Sequence, residues 1–300
     1  MPHGKCRLCH QEAELQLSHV IPAFVFRWLK ESSGNSHIRQ SREPNQRVQD
    51  GEKRHWLCVS CEQLLSDAER EFSLRLFRPY LDTPGSIFAY SGWLLKFCAS
   101  ISWRVLLLAL EEGRFDGWEP ERFARLAPAA ETWRSYLLGT ISHPGPHQQH
   151  LLPVDRLQTT TGDSPPNINR YLMRAVSFDL CRGRESVFTH VKLGRFVIIG
   201  FVHEPNLDHW KGSKVHASFG HIQPRKYVVP AALGEYWNTQ SLKVHAALAS
   251  VSDTQQVKVE QSFRAKIDEY AGSDAFAAMR ADVEMFGDEA FTPQNRGAQQ

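Results

Sequence analysis

The chain has 300 residues, 42% of them hydrophobic and 23% charged, with six cysteines and a formal net charge of +2. That length allows one large domain or two ordinary ones. The composition belongs to a globular chain and excludes a disordered one, a disulfide-built scaffold and a protein that coats nucleic acid by net charge alone.

In chain order, no apolar stretch follows the basic start, so no secretory signal is expected. Residues 22–30 (PAFVFRWLK) predict a short helix with proline in its first turn. Residues 32–54 are rich in Ser, Asn, Gln, Arg and Glu and read as a long mobile loop. Residues 61–77 carry Leu64, Leu65, Ala68, Phe72, Leu76 and Phe77 at helical spacing. The longest apolar run, 86–110, is long enough to span a bilayer. Lys96 and Arg104 fall inside it, and two mid-span cations are costly in lipid, so a buried helix of a soluble domain is predicted. Glu111-Glu112-Gly113 is its expected stop. A second helix is expected over 120–138, broken near Pro128, and then a linker over 142–153. The period changes at 186–202, where β-branched and aromatic runs flank Leu193-Gly194 as a hairpin. Further strands are expected within 170–181 and 213–219. Helices return at 231–248, 254–270 and 274–286, and the last dozen residues read as frayed.

Cys6-Arg-Leu-Cys9 and Cys58-Val-Ser-Cys61 are two C-x2-C units. Each can put two thiolates on one metal, and two such knuckles complete the closed tetrahedral site that structural zinc prefers. The long separation is tolerable because loop closure costs entropy only logarithmically. The second pair leads into the 61–77 helix, consistent with a treble clef of knuckle, hairpin, knuckle and helix. A redox pair is the minor alternative, since no thioredoxin-like strand precedes either unit. Cys98 and Cys181 lie in apolar surroundings and read as buried core thiols. Clustered thiols that bind metal imply a reducing, cytoplasmic compartment.

With Leu17-Ser18-His19-Val20-Ile21-Pro22 between the pairs and Glu62 after the last cysteine, "CRLC…SHVIP…LCVSCE" resembles the HNH endonuclease superfamily in its zinc-containing treble-clef form. The resemblance covers residues 5–75, a quarter of the chain. The chain also looks like a group of bacterial proteins with an "SHIIP…CE…E" variant. The resemblance implies that His19 is the general base that activates water against a phosphodiester, and an imidazole with its ordinary pKa of about 6.5 suits that task. It implies a catalytic magnesium or manganese ion, with a ligand in the place of Ser18 and another in the place of Glu62. Serine is a poor ligand, whereas a carboxylate is a competent one. Glu69 lies at i+7 from Glu62, so both carboxylates share one helix face and form the candidate cation-binding pair. Asp67 and Glu71 lie on other faces. Lys53 falls where the family has its middle Asn, with His55 offset from it. Each residue also has a plainer role. His19 can hydrogen-bond the thiolates or loop backbone, Ser18 can end a strand, and Glu62 suits a helix start.

Charge is unevenly spread: net +2 over 1–80, −2 over 81–164, +6 over 165–230 and −4 over 231–300. In the basic segment Arg170, Arg174, Arg182, Arg184, Lys192, Arg195, Lys211, Lys214, Arg225 and Lys226 interleave with Phe178, Phe188, Phe196 and Trp210. A sheet face of this composition can track phosphates and stack bases, or simply be a solvated face over an apolar core. Arg39, Arg42, Arg47, Lys53 and Arg54 are a second candidate surface.

The expectation is therefore an α+β protein, with a zinc treble-clef, HNH-like domain over 1–80 and a larger mixed helical and antiparallel-sheet domain over 81–300 that binds substrate or partners. The expected function is a metal-dependent nuclease acting on nucleic acid, DNA before RNA, with bacterial defence implied by the resemblance. The alternative is a non-catalytic zinc module that binds nucleic acid or a protein. A third reading is a subunit of a larger assembly docking through 86–140.

Overall fold

The computed structural model describes residues 2–33, 38–113, 115–159, 164–223 and 225–291. The protein is mixed α+β, and the named strand pairs are antiparallel. It divides into two compact units interleaved along the sequence, a division that one boundary at residue 80 does not describe. The first comprises Met1–Pro22, Glu52–Pro153 and Ser177–Pro230, and the second Ala23–Gly51, Val154–Val176 and Ala231–Gln300.

The elements run in chain order as follows. Strands β1 (His3–Lys5), β2 (Glu12–Glu14) and β3 (Gln16–His19) precede helix α1 (Ala23–Glu31). Strands β4 (Ile38–Gln40), β5 (Glu43–Val48) and β6 (Lys53–Leu57) follow. The segment read as a loop thus carries β4, β5 and the start of β6, and its residues 34–37 lie outside the described residues. Helix α2 (Val59–Phe72) passes into a π-helical turn at Ser73–Phe77 and then α3 (Arg78–Asp82). Strand β7 (Phe88–Ser91) leads into α4 (Gly92–Glu112), which Gly113 ends in the left-handed region at φ 65°. Helices α5 (Pro120–Phe123) and α6 (Leu126–Leu137) follow, with the break before Leu126 and Pro128 inside the first turn of α6. The expected linker instead contains strand β8 (Gln149–Pro153). Helix α7 (Ile168–Arg174) and strands β9 (Val176–Arg182), β10 (Val187–Leu193), β11 (Phe196–His203) and β12 (Phe219–Ile222) come next. Helices α8 (Ala231–Ala249), α9 (Asp253–Ala265), α10 (Ile267–Ala271) and α11 (Asp274–Phe286) finish the list. Residues 292–300, within the stretch expected to fray, lie outside the described residues.

In the first unit the four-stranded sheet has the order β8-β11-β10-β9. The β10–β11 hairpin turns through Gly194 at φ 57°, a conformation that favours glycine. Register places Gln149, Gly200 and Thr189 side by side, so all three share one sheet face. Helix α4 crosses that face. A Cβ on Gly200 would fall 2.3 Å from Ser102 Oγ, so only glycine allows this approach. On its other sides α4 packs on α2 and α6. Phe72 of α2 stacks on Phe97 of α4 at 3.8 Å and meets Phe196 of β11 edge-on at 5.5 Å, which ties helix, helix and sheet into one core. Helix α4 is long and apolar enough to cross a membrane, but most of it is buried.

The second unit centres on α7, whose Ile168, Tyr171 and Leu172 pack with Trp237, Val244 and Phe286. Asp282 of α11 accepts from the backbone N–H groups of Asn169 and Arg170 at 2.7 and 3.1 Å and from Arg170 Nε at 2.8 Å. A carboxylate so placed satisfies orphan N–H donors in the first turn of α7.

Candidate metal centre

The β1–β2 hairpin holds Cys6 and Cys9 in its turn. Cys6 N–H donates to the Gln11 carbonyl at 2.8 Å, and His10 N–H donates to the Cys6 carbonyl at 2.9 Å. His10 takes φ 64°, a left-handed position that closes this knuckle. Cys58 is the N-cap of α2 and Cys61 lies in its first turn. Arg7 N–H donates to the Trp56 carbonyl at 2.8 Å, which joins the two knuckles through the backbone.

The four sulfurs of Cys6, Cys9, Cys58 and Cys61 all lie within 4.8 Å of one another, with Cys9 Sγ 3.8 Å from Cys58 Sγ. A tetrahedron with Zn–S bonds of ~2.3 Å has sulfur separations of about 3.8 Å, so the donor set fits one zinc ion. The chemistry agrees. Burial alone would raise the Cys6 thiol, but N–H donors led by that of Cys58, 3.4 Å away, bring it down to about 7. Burial pushes Cys9 and Cys61 up, and in Cys61 the neighbouring thiols add to it. A cation resolves that conflict, because coordination requires deprotonated thiolates and supplies their counter-charge. Cys98 is buried as expected, whereas Cys181 is half-buried.

Polar groups brace the knuckles from α4 and α6. Glu111, in the last turn of α4, accepts from Arg7 Nη2 at 2.6 Å and from Trp56 Nε1 at 3.0 Å, so one carboxylate grips the approach to both knuckles. Arg134 of α6 donates to the Leu8 carbonyl at 2.8 Å.

The His19 region adjoins this centre through α2. Strand β3 pairs with β6, with Ser18 opposite Arg54 and His19 opposite Lys53. Lys53 is thus the cross-strand neighbour of His19. His55 instead has Nδ1 3.4 Å from the Leu15 carbonyl. Ser18 is 0% exposed, and its hydroxyl donates to Glu62 Oε2 at 2.5 Å. Glu69 binds Arg104 Nη2 at 2.7 Å. The two carboxylates of the i, i+7 pair thus have different protein partners, Ser18 for Glu62 and Arg104 for Glu69. Among the described residues the cysteines are the one group of three or more His, Cys, Asp or Glu with metal-binding geometry, and His19, Glu62 and Glu69 do not make another. Arg104 is the residue of this region that sequence reasoning missed. Its position inside an apolar run marked it only as an obstacle to membrane insertion.

The basic segment is divided between the two units. Arg170 and Arg174 belong to the second unit, where they pair with Asp282 and Asp274. In the first unit Lys192 is 0% exposed and Arg195, Phe196 and Trp210 are buried. Burial holds the Lys192 amine well below its ordinary value. Arg182 lies over Trp118 at 5.6 Å and donates to the Gly117 carbonyl at 2.5 Å. Arg184, Lys211, Lys214, Arg225 and Lys226 remain exposed. Of the second candidate surface, Arg39, Arg42 and Arg47 fall in the second unit and Lys53 and Arg54 in the first.

Scans of protein-family models, of curated proteins and of solved structures each found no match to this chain.

Proposed function

We propose that the first unit contains a zinc treble clef of the HNH type and that the protein is a nuclease in which His19 is the general base. The observation that carries this reading is that the four-sulfur cluster and the β3–β6 pair set Ser18 and Glu62 in contact, one residue from His19. The order of knuckle, paired strands, knuckle and helix supports the treble-clef reading. Zinc held by Cys6, Cys9, Cys58 and Cys61 is structural and stiffens the strand that bears His19.

His19 takes a proton from the attacking water, whose oxygen forms the new bond to phosphorus as the P–O bond to the leaving sugar oxygen breaks, and that oxygen takes a proton from solvent water. Glu62 is the carboxylate assigned to magnesium or manganese, which takes one or two protein carboxylates and fills its shell with water and phosphate oxygens. Such an ion supplies Lewis acidity at the scissile phosphate. Glu69 has no part in holding it, because Arg104 neutralises it. The substrate is nucleic acid, DNA before RNA.

The second reading, a non-catalytic zinc module that binds nucleic acid or a protein, is favoured by one observation: the acceptors Glu62 and Glu69 already have protein partners in Ser18 and Arg104. The two readings separate in one assay. The purified protein is incubated with magnesium or manganese and plasmid or single-stranded substrate, beside His19→Ala. The nuclease reading predicts cleavage that falls at least about 100-fold in the variant. Cleavage retained by His19→Ala removes His19 from the mechanism. Binding without cleavage by the unaltered protein supports the module.

A further inference from the structure

We infer that Arg104 is the positioning residue for His19, an inference that rests on the nuclease reading for its catalytic meaning. Arg104 lies in the middle of α4 and is 2% exposed. Its Nη1 donates to the His19 carbonyl at 2.7 Å and its Nη2 to Glu69 Oε1 at 2.7 Å. Within α4, Nε donates to the Ser100 carbonyl at 3.3 Å and Nη2 to Ser100 Oγ at 3.4 Å. One guanidinium therefore joins the end of β3, the last turn of α2 and its own helix.

The contact pattern gives this bridge a direction. Consecutive residues of β3 are tied to the same face of α2, Ser18 directly to Glu62 and His19 through Arg104 to Glu69. Glu62 and Glu69 are seven residues apart, so the two ties lie two turns apart along the helix. A strand held at both points cannot twist about its axis, and the His19 backbone is fixed relative to Glu62. The planar fork of an arginine spans two acceptors at once, which a lysine ammonium on its flexible stem does not. Buried arginine between two acceptors, rather than lysine, is what this geometry requires. Glu69, the second carboxylate of the expected cation pair, has the different task of holding Arg104.

Arg104 touches neither substrate nor reacting atoms in this account, so its loss affects turnover through His19. The test compares Arg104→Met, Arg104→Lys and Glu69→Gln with the unaltered protein, each checked for zinc content and cooperative unfolding. Two readouts are taken. The first is the kcat and KM of cleavage. Arg104→Met is expected to lower kcat about 10-fold or more with KM within about twofold, and Arg104→Lys to recover part of the loss. The second needs no activity: the 15N and 1H resonances of the His19 ring, assigned by their loss in His19→Ala. In Arg104→Met and Glu69→Gln they are expected to shift and broaden, while those of the exposed His3 stay in place. If Arg104→Met does not fold, Arg104→Lys and Glu69→Gln carry the test. Unchanged His19 resonances in folded, zinc-loaded variants overturn the positioning role. An inactive unaltered protein whose His19 resonances respond to Arg104 overturns the nuclease reading and leaves the bridge standing.

Discussion

His150 of β8 gives the first unit a defined acid weakness. Its ring is buried, with Nδ1 2.8 Å from Ser213 Oγ. Its Nε2 has no hydrogen-bond partner among the described residues. Phe201 and Trp210 stand edge-on to the ring at 4.9 and 5.9 Å. Burial, then the charges of Lys214 and His216, lowers its pKa from 6.5 to about 3. The folded state therefore keeps a neutral imidazole where the unfolded chain protonates it. The sign follows from proton binding. Stability from this group is fully present above pH 6.5 and is lost as pH falls toward 3, because only the unfolded state gains the proton. Over the whole interval the loss is about 5 kcal/mol, and by pH 4.5 it is already about 3 kcal/mol. A typical domain has only about 5–15 kcal/mol in total, so the loss is large. His150→Asn keeps a polar atom near Ser213 and does not titrate. Urea unfolding at pH 7.5 and pH 4.5, followed by tryptophan fluorescence, measures both proteins. Because every other titrating group is shared, the unaltered protein is expected to lose about 3 kcal/mol more than the variant between the two pH values. Equal losses would refute the argument that this ring is held neutral by burial.

Two other expectations follow from packing around α4. Gly200→Ala drives a methyl group against Ser102 Oγ and Thr189 Oγ1, to which it would lie 2.3 and 2.8 Å away, and is expected to cost about 1–3 kcal/mol in chemical denaturation. An unchanged midpoint would mean that α4 and the sheet are farther apart than described. Glu111→Ala removes the acceptor shared by Arg7 and Trp56 without touching a sulfur. Zinc transfer to a chromogenic chelator should then be faster by about tenfold, as for other outer contacts of metal sites. A rate equal to that of the unaltered protein would show that α4 does not brace the knuckles.

What could be read from the sequence was what local spacing decides. Two cysteines three residues apart make half a metal site on their own, and the separation of the halves hardly matters. Helix α11 carries its own capping serine, Ser273, whose side chain accepts from Phe276 N–H at 3.2 Å, and its span agrees with the expected 274–286. The β10–β11 hairpin had Gly194 to announce it. Strand β8 was hidden because Pro, Gly and His crowd the residues before it, and because adjacent Leu151 and Leu152 are both buried and show no alternation. Lys192 and Arg195 read as solvated because alternation reports two faces and cannot report what covers either one. The i, i+7 reading correctly put Glu62 and Glu69 on one face. The partners of that face come from Ser18 and Arg104, 44 and 35 residues away, and helical periodicity carries no information over such distances.

The central claim is that four sulfurs distant in sequence meet at one zinc ion. X-ray absorption at the zinc edge on the purified protein, with metal content measured on the same sample, tests it most directly. The account predicts one zinc per chain with four sulfur neighbours at ~2.3 Å, and loss of both the ion and cooperative folding in Cys58→Ser. A folded, metal-free protein, a first shell with nitrogen or oxygen in it, or a Cys58→Ser variant that stays folded with its zinc in place would contradict it.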